Sequence, residues 1–220
     1  MCFNQLKQKI SSEYEVVLME LPGRGLRAKE KPYSDMEELI EDIYKKVCEI
    51  KGNSDFAFFG HSFGVLILFE LCKRIAADGG KDPEFIFVLG NRPPCLPAEH
   101  YYGHLSDDEF MDDLISFGGI NEILAQNRDA MRYFLGIIRS DFNIIEKFDC
   151  RKPDAPFDFD IYAFGGMDDN TFTRDLIYEW KNYTAKKCSV ELYEGDHFFI
   201  DQNSDKIAAV INKAASEKRG

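Results

Sequence analysis

Short apolar runs alternate with segments of helical period along most of the chain, an order that predicts a mostly parallel sheet joined by crossover helices. Val16-Val17-Leu18-Met19 reads as the first strand, closed by the turn pair Pro22-Gly23. After Ser34, a candidate N-cap, Met36, Leu39, Ile40, Ile43 and Val47 recur at helical spacing. Phe56-Ala57-Phe58-Phe59 has the composition of a strand buried on both faces. Val65 to Ile75 is almost unbroken apolar sequence and predicts a buried helix. Phe85 to Leu89 is a third strand, stopped by Gly90 and then Pro93-Pro94.

From about Ser106 to Phe148 the period is helical and no strand is predicted. Ser106 with Glu109 fits a capping box that opens this stretch. Ile161 to Phe164 is a fourth strand, ended by Gly165-Gly166. A helix around Arg174 to Tyr183 precedes a fifth strand, Val190 to Tyr193, and Ser204 to Ala215 is a closing amphipathic helix. The pattern is that of one α/β domain over residues 1–220, interrupted at about 98–152 by a helical insertion. In a doubly wound sheet such an insertion lies over the carboxyl ends of the strands, so it is expected to act as a lid.

Composition adds little to that picture and charge adds more. With 45% hydrophobic and 30% charged residues, the chain is an ordinary globular one. Its net charge of −12 repels nucleic-acid phosphates and anionic lipid alike. An acidic partner would need a local patch, for which Arg24 to Lys31 is the one basic stretch found. Six cysteines lie too far apart for a Cys-x-x-Cys or metal pattern, and all six are expected to be reduced thiols of a cytoplasmic protein. Cys48 and Cys72 fall in apolar helical patterns and are expected to act as small core residues.

The chemistry concentrates at Gly60-His61-Ser62-Phe63-Gly64, between a buried strand and a buried helix. That is the setting of a nucleophile elbow, where a sharp strand-to-helix turn exposes a serine hydroxyl over the positive end of the helix. The amide of Phe63 would then point at a developing oxyanion. The serine needs a base, and the base needs an acid to hold its tautomer. Of four histidines, His61 lies within the elbow, and His100 and His104 precede every plausible acid. His197, after the last strand, has the right place. The acid should follow the preceding strand, where Asp168 and Asp169 both stand; Asp169 is favoured because the loop needs length to bring a carboxylate round. Asp196 adjoins His197 and should point away from it.

These features together resemble the type II thioesterases, stand-alone editing hydrolases of nonribosomal peptide and polyketide synthesis with the α/β-hydrolase fold. Besides the elbow, the match rests on Glu20-Leu21-Pro22-Gly23-Arg24-Gly25, Arg139-Ser140-Asp141-Phe142, Gly165-Gly166-x-x-Asp169, Trp180 and Gly195-Asp196-His197-Phe198-Phe199. The resemblance implies cleavage of a thioester between an acyl group and the phosphopantetheine arm of a carrier protein, through an acyl-Ser62 intermediate. It implies a carrier-protein partner. No metal or nucleotide motif is found, so no cofactor and no metal are expected. The charge argues against nucleic acid, no apolar run approaches the ~20 residues that span a membrane, and a monomer is expected. Met111, Leu114, Phe117 and Phe134 of the insertion are candidates for an acyl-accommodating surface, besides core packing. Relatives begin with a strand and a glycine-containing loop that supplies a second oxyanion amide. This sequence opens in the helix Phe3 to Ile10 that would follow, so that amino-terminal strand is expected to be missing. Another serine hydrolase, acting on esters or fatty acyl carriers, fits the same elbow. A catalytically impaired module that docks on a synthase is the further alternative.

Overall fold

A computed structural model describes residues 2–116 and 127–219. Four strands form one parallel sheet in the order β1 (Phe58–His61), β2 (Phe85–Leu89), β3 (Asp160–Gly166), β4 (Cys188–Tyr193). Because every pair is parallel, all four carboxyl ends lie along one edge of the sheet.

The strands alternate between two buried faces. Ile86, Val88, Ile161 and Ala163 point to one side and Phe85, Phe87, Leu89, Tyr162 and Phe164 to the other. On the first side lie helix α3 (Phe63–Ala77) and a 3-10 helix over Arg174–Tyr183, which buries Ile177 and Trp180 completely. On the second lie α1 (Cys2–Lys9) and the last helix, α6 (Ile200–Arg219), through Leu6, Ile200, Ile207 and Ala208. Helix α2 (Met36–Lys51) packs on the outer side of α3, with Leu39, Ile40 and Ile43 against Leu66, Ile67 and Leu71. Helix α3 is thus covered by the sheet on one flank and α2 on the other, which explains why it is apolar almost all round.

Between β2 and β3 come α4 (Asp107–Ser116) and α5 (Arg128–Lys147). Their shared core is Phe110, Met111, Leu114, Met131 and Leu135. The predicted capping box is present: Ser106 N donates to Glu109 Oε2 at 2.8 Å, and Glu109 N to Ser106 Oγ at 3.3 Å. Helix α5 is tied to the loop before α2 by a two-pronged ion pair, Arg24 Nη1 and Nη2 each 2.9 Å from an Asp141 oxygen. The next residue back, Ser140, donates to Tyr33 O at 2.6 Å. The two motifs Leu-Pro-Gly-Arg-Gly and Arg-Ser-Asp-Phe are therefore two halves of one contact.

Several expectations need correction. Val16 to Met19 pairs with no strand, and Val17, Leu18 and Met19 are exposed. Apolar composition does not make a strand unless a neighbour takes up the backbone hydrogen bonds. The second predicted strand sits two residues later, at Phe58–His61, where the ladder with Ile86 to Leu89 sets the register. Asp35, not Ser34, caps α2, accepting from Glu37 N and Glu38 N. The segment Arg174–Tyr183 is 3-10 rather than α-helical. Cys95 and Cys150 form a disulfide, against the expectation of six free thiols. Both ends of the inserted segment return to one place, so two cysteines 55 residues apart have Cα atoms 4.7 Å apart. Cys72 is buried as expected, whereas Cys48 is only partly so.

Candidate active site

Ser62 ends β1 and caps α3 with φ 54° and ψ −116°, and it has the one positive φ among described residues other than glycine. A side chain held there is strained, and the strain is sustained by what surrounds it. Ser62 N donates to Leu89 O at 2.9 Å, while Asn91 Nδ2 donates to Ser62 O at 3.2 Å. Asn91 is held in turn by Trp180, whose indole N–H reaches Asn91 O at 3.0 Å. The chain turns so tightly that a Cβ on Gly60 would lie 2.6 Å from Gly64 O, which is why residue 60 is glycine. The Ser62 side chain does not cap α3, so its hydroxyl is not committed to the helix. The Phe63 amide belongs to the first turn, whose N–H groups have no intrahelical acceptor.

Two loops at the same edge of the sheet bring in the other groups. The loop after β3 carries Asp169 and the loop after β4 carries His197, both buried at 7% exposure. His197 Nδ1 lies 2.9 Å from Asp169 Oδ2. The other carboxylate oxygen accepts from Thr171 N at 2.9 Å and from Thr171 Oγ1 at 2.7 Å. Thr171 Oγ1 is also 3.1 Å from His197 Nδ1. Burial would raise the Asp169 carboxyl, but the hydrogen bonds and charge of His197, followed by those of Thr171, hold it below its ordinary range. A carboxylate facing Nδ1 keeps the proton on that nitrogen and leaves the Nε2 lone pair free to accept one. Asp168 is exposed, with its amide donating to Gly195 O. Asp196 is exposed too, and its side chain accepts from Phe198 N at 2.8 Å. Neither competes with Asp169 for His197.

His197 meets the elbow through His61. The rings are 4.8 Å apart between centroids, and His61 Nε2 donates to His197 O at 2.8 Å. Thr171 and this second use of His61 were not anticipated from the sequence. The Asx-type turn Asp169-Asn170-Thr171 was the available signal for the first; nothing in the sequence signals the second.

The candidate acyl residues divide. Met111 and Leu114 point into the core of the insertion, at 0% and 8% exposure, whereas Phe134 is exposed at 44%. Phe117 lies outside the described residues. His100 and His104 are exposed in the loop before α4. Among the described residues no cluster of three or more His, Cys, Asp or Glu is arranged to hold a metal ion.

A family model of the thioesterase domain matches residues 1–215. Gramicidin S biosynthesis protein GrsT of Aneurinibacillus migulanus is 36% identical over 189 residues, which is 86% of this chain and 73% of that protein. The medium-chain S-acyl fatty acid synthase thioesterase of Rattus norvegicus is 30% identical, over 90% of this chain and 76% of its own. Among solved structures, RedJ, the thioesterase from the prodiginine pathway of Streptomyces coelicolor, superposes with a TM-score of 0.90 at 29% identity, covering 97% of this chain and 84% of that one. A parallel sheet, a strained serine between strand and helix, a buried His–Asp pair at the same edge and this family match lead to one conclusion: the chain belongs to the thioesterase family, with the α/β-hydrolase fold.

Proposed function

We propose that this enzyme hydrolyses acyl thioesters on the phosphopantetheine arm of carrier proteins in nonribosomal peptide or polyketide synthesis. Ser62 is the nucleophile, His197 the general base and Asp169 the acid that orients it. The observation that carries this reading is the strained Ser62 turn beside a His197–Asp169 pair buried at the same sheet edge. The similarity to a gramicidin S biosynthesis protein supports the choice of pathway.

In the first step Ser62 Oγ attacks the thioester carbonyl while His197 Nε2 takes its proton. Asp169 stabilises the imidazolium so formed, and the Phe63 amide donates to the oxyanion. The tetrahedral intermediate collapses, the C–S bond breaks and the thiol leaves with a proton. A thiolate is a good leaving group, so this departure needs less acid assistance than an amide would. Water then attacks the acyl-serine, His197 again takes a proton, and Ser62 is regenerated as the carboxylic acid leaves. Helices α4 and α5 act as a lid, and exposed Phe134 offers an apolar contact to the acyl chain, while Met111 and Leu114 hold the two helices together in their shared core. No helix among the described residues is long and apolar enough to cross a membrane. We place the enzyme in the cytoplasm, as a monomer, where carrier-bound acyl groups are made.

The test is release of acetyl groups from an acetyl-phosphopantetheinyl carrier protein, followed by mass spectrometry of the carrier. Ser62→Ala is expected to reduce release to the uncatalysed rate; release unchanged by that substitution would remove Ser62 from the mechanism. The similarity to a fatty acid synthase thioesterase favours a second reading, in which the preferred acyl group is a medium-length fatty chain. Running acetyl and decanoyl carriers side by side separates the two.

A further inference from the structure

His61 occupies the elbow position before the serine, where the sharp turn itself asks only for a side chain that fits. The ring found there is half-buried and closely surrounded. Its centroid lies 4.8 Å from His197, 5.5 Å from Phe198, 6.4 Å from Phe199 and 6.3 Å from Phe3 of α1. Space for it is made at the end of β2. Gly90 has φ 59°, and a Cβ there would sit 3.0 Å from His61 Nε2 and 3.3 Å from His197 Cε1. Burial, followed by the neighbouring His197, pushes the His61 imidazole down to about 4. The ring is therefore neutral at ordinary pH, with its one proton on the Nε2 that donates to His197 O.

We infer that His61 is a positioning residue for the base: its hydrogen bond fixes the backbone of His197 against the residue adjacent to the nucleophile. This rests on the assignment of Ser62 and His197 above. The loop flanks are held by other bonds, Met167 N to Tyr193 O at 2.8 Å and Phe199 N to Asp196 O at 3.1 Å. Neither of these refers His197 to the elbow. His61 does so directly, because its own backbone continues into Ser62. Side-chain orientation of the base comes from Asp169, and its backbone placement relative to the serine comes from His61.

The experiment measures the rate at which a fluorophosphonate labels Ser62, together with kcat and KM for p-nitrophenyl butyrate and the Tm of each protein. The variants are His61→Gln, His61→Asn and His61→Phe. Glutamine carries an N–H to nearly the place of Nε2, asparagine falls short, and phenylalanine keeps the ring but loses the donor. The expected result is that His61→Gln stays within about threefold of the parent. His61→Asn and His61→Phe lose at least about tenfold in kcat and labelling rate with little change in KM, as misplacement of a catalytic group does. A purely structural role would track Tm instead. Parent-like labelling of folded His61→Phe, or His61→Gln as slow as His61→Asn, overturns the inference. If His61→Phe does not fold, the Gln and Asn pair decides it. A parent protein that is not labelled at Ser62 overturns the nucleophile assignment and this inference with it.

Discussion

Asp169, buried, and His61, half-buried, both lie beside His197, yet they respond to acid in different pH ranges. Asp169 lies below the ordinary carboxylate range when folded, so the stability it contributes is present above that range and is lost only as pH falls through the lower folded value. His61 is held near 4, against about 6.5 for an unperturbed imidazole. Between those values the unfolded chain binds a proton that the folded one refuses, so stability falls as pH drops from about 6.5 toward 4, by about 3 kcal/mol. Urea denaturation at steps of pH should show this slope in the parent and a flatter one in His61→Gln. The charged and titratable neighbours of His61, His197 and Asp169, are the same in both proteins, so the difference isolates residue 61. Equal slopes would mean that His61 titrates normally. At this scale the sequence disclosed Ser62, Asp169 and His197 as candidates, because order along an alternating chain limits which side chains can reach one edge. It did not disclose that Thr171 would bond both Asp169 and lie against His197, or that His61 would reach a backbone oxygen 136 residues away. Those contacts depend on loop paths, which periodicity does not encode.

The elements were legible where apolar spacing was strong and uninterrupted, as in α2, α3 and β2. Legibility ended where pairing or local chain geometry decides the outcome. Val16 to Met19 has strand composition and no ladder, and Arg174–Tyr183 has helical spacing but winds as a 3-10 helix. The Cys95–Cys150 pair was hidden for a related reason: cysteines 55 residues apart reveal nothing until both ends of the insertion are placed. That bond closes a loop containing α4 and α5, and chain-entropy reasoning assigns such a closure up to about 4 kcal/mol. Reduction should lower the urea midpoint, and Cys150→Ser purified without reductant should start from the lowered value. Identical midpoints for oxidised parent and Cys150→Ser would show that the closure adds no stability. The Arg24–Asp141 pair anchors α5 independently, so the insertion should stay docked in either case.

Charge belongs to the whole molecule. At −12, the protein repels an acidic carrier at long range. The basic stretch from Arg24 to Lys31 offsets little of this, since Arg24 is paired with Asp141 and Arg27 with Glu30 and Asp42. Raising salt from about 20 to 200 mM should therefore increase kcat/KM for an acidic acyl-carrier severalfold, by screening the repulsion. The same change should leave hydrolysis of a neutral nitrophenyl ester almost unaltered. A fall with salt would instead reveal a local attractive patch strong enough to reverse the global field. The closeness of Cys95 to Cys150 bears on this scale as well. A segment that leaves and returns within 4.7 Å between Cα atoms hangs, as far as chain connectivity goes, from one point. Its other ties to the molecule are side-chain contacts such as Arg24–Asp141, Ser140–Tyr33 and the burial of Ile144. The strand order, the elbow and the His–Asp pair are all threaded outside it. A corresponding segment grafted from another member of the family between these two positions would enter and leave the fold at one place. It would dock only if it kept the carboxylate and hydroxyl that Arg24 and Tyr33 meet, so the exchangeable unit is the segment together with those two contacts.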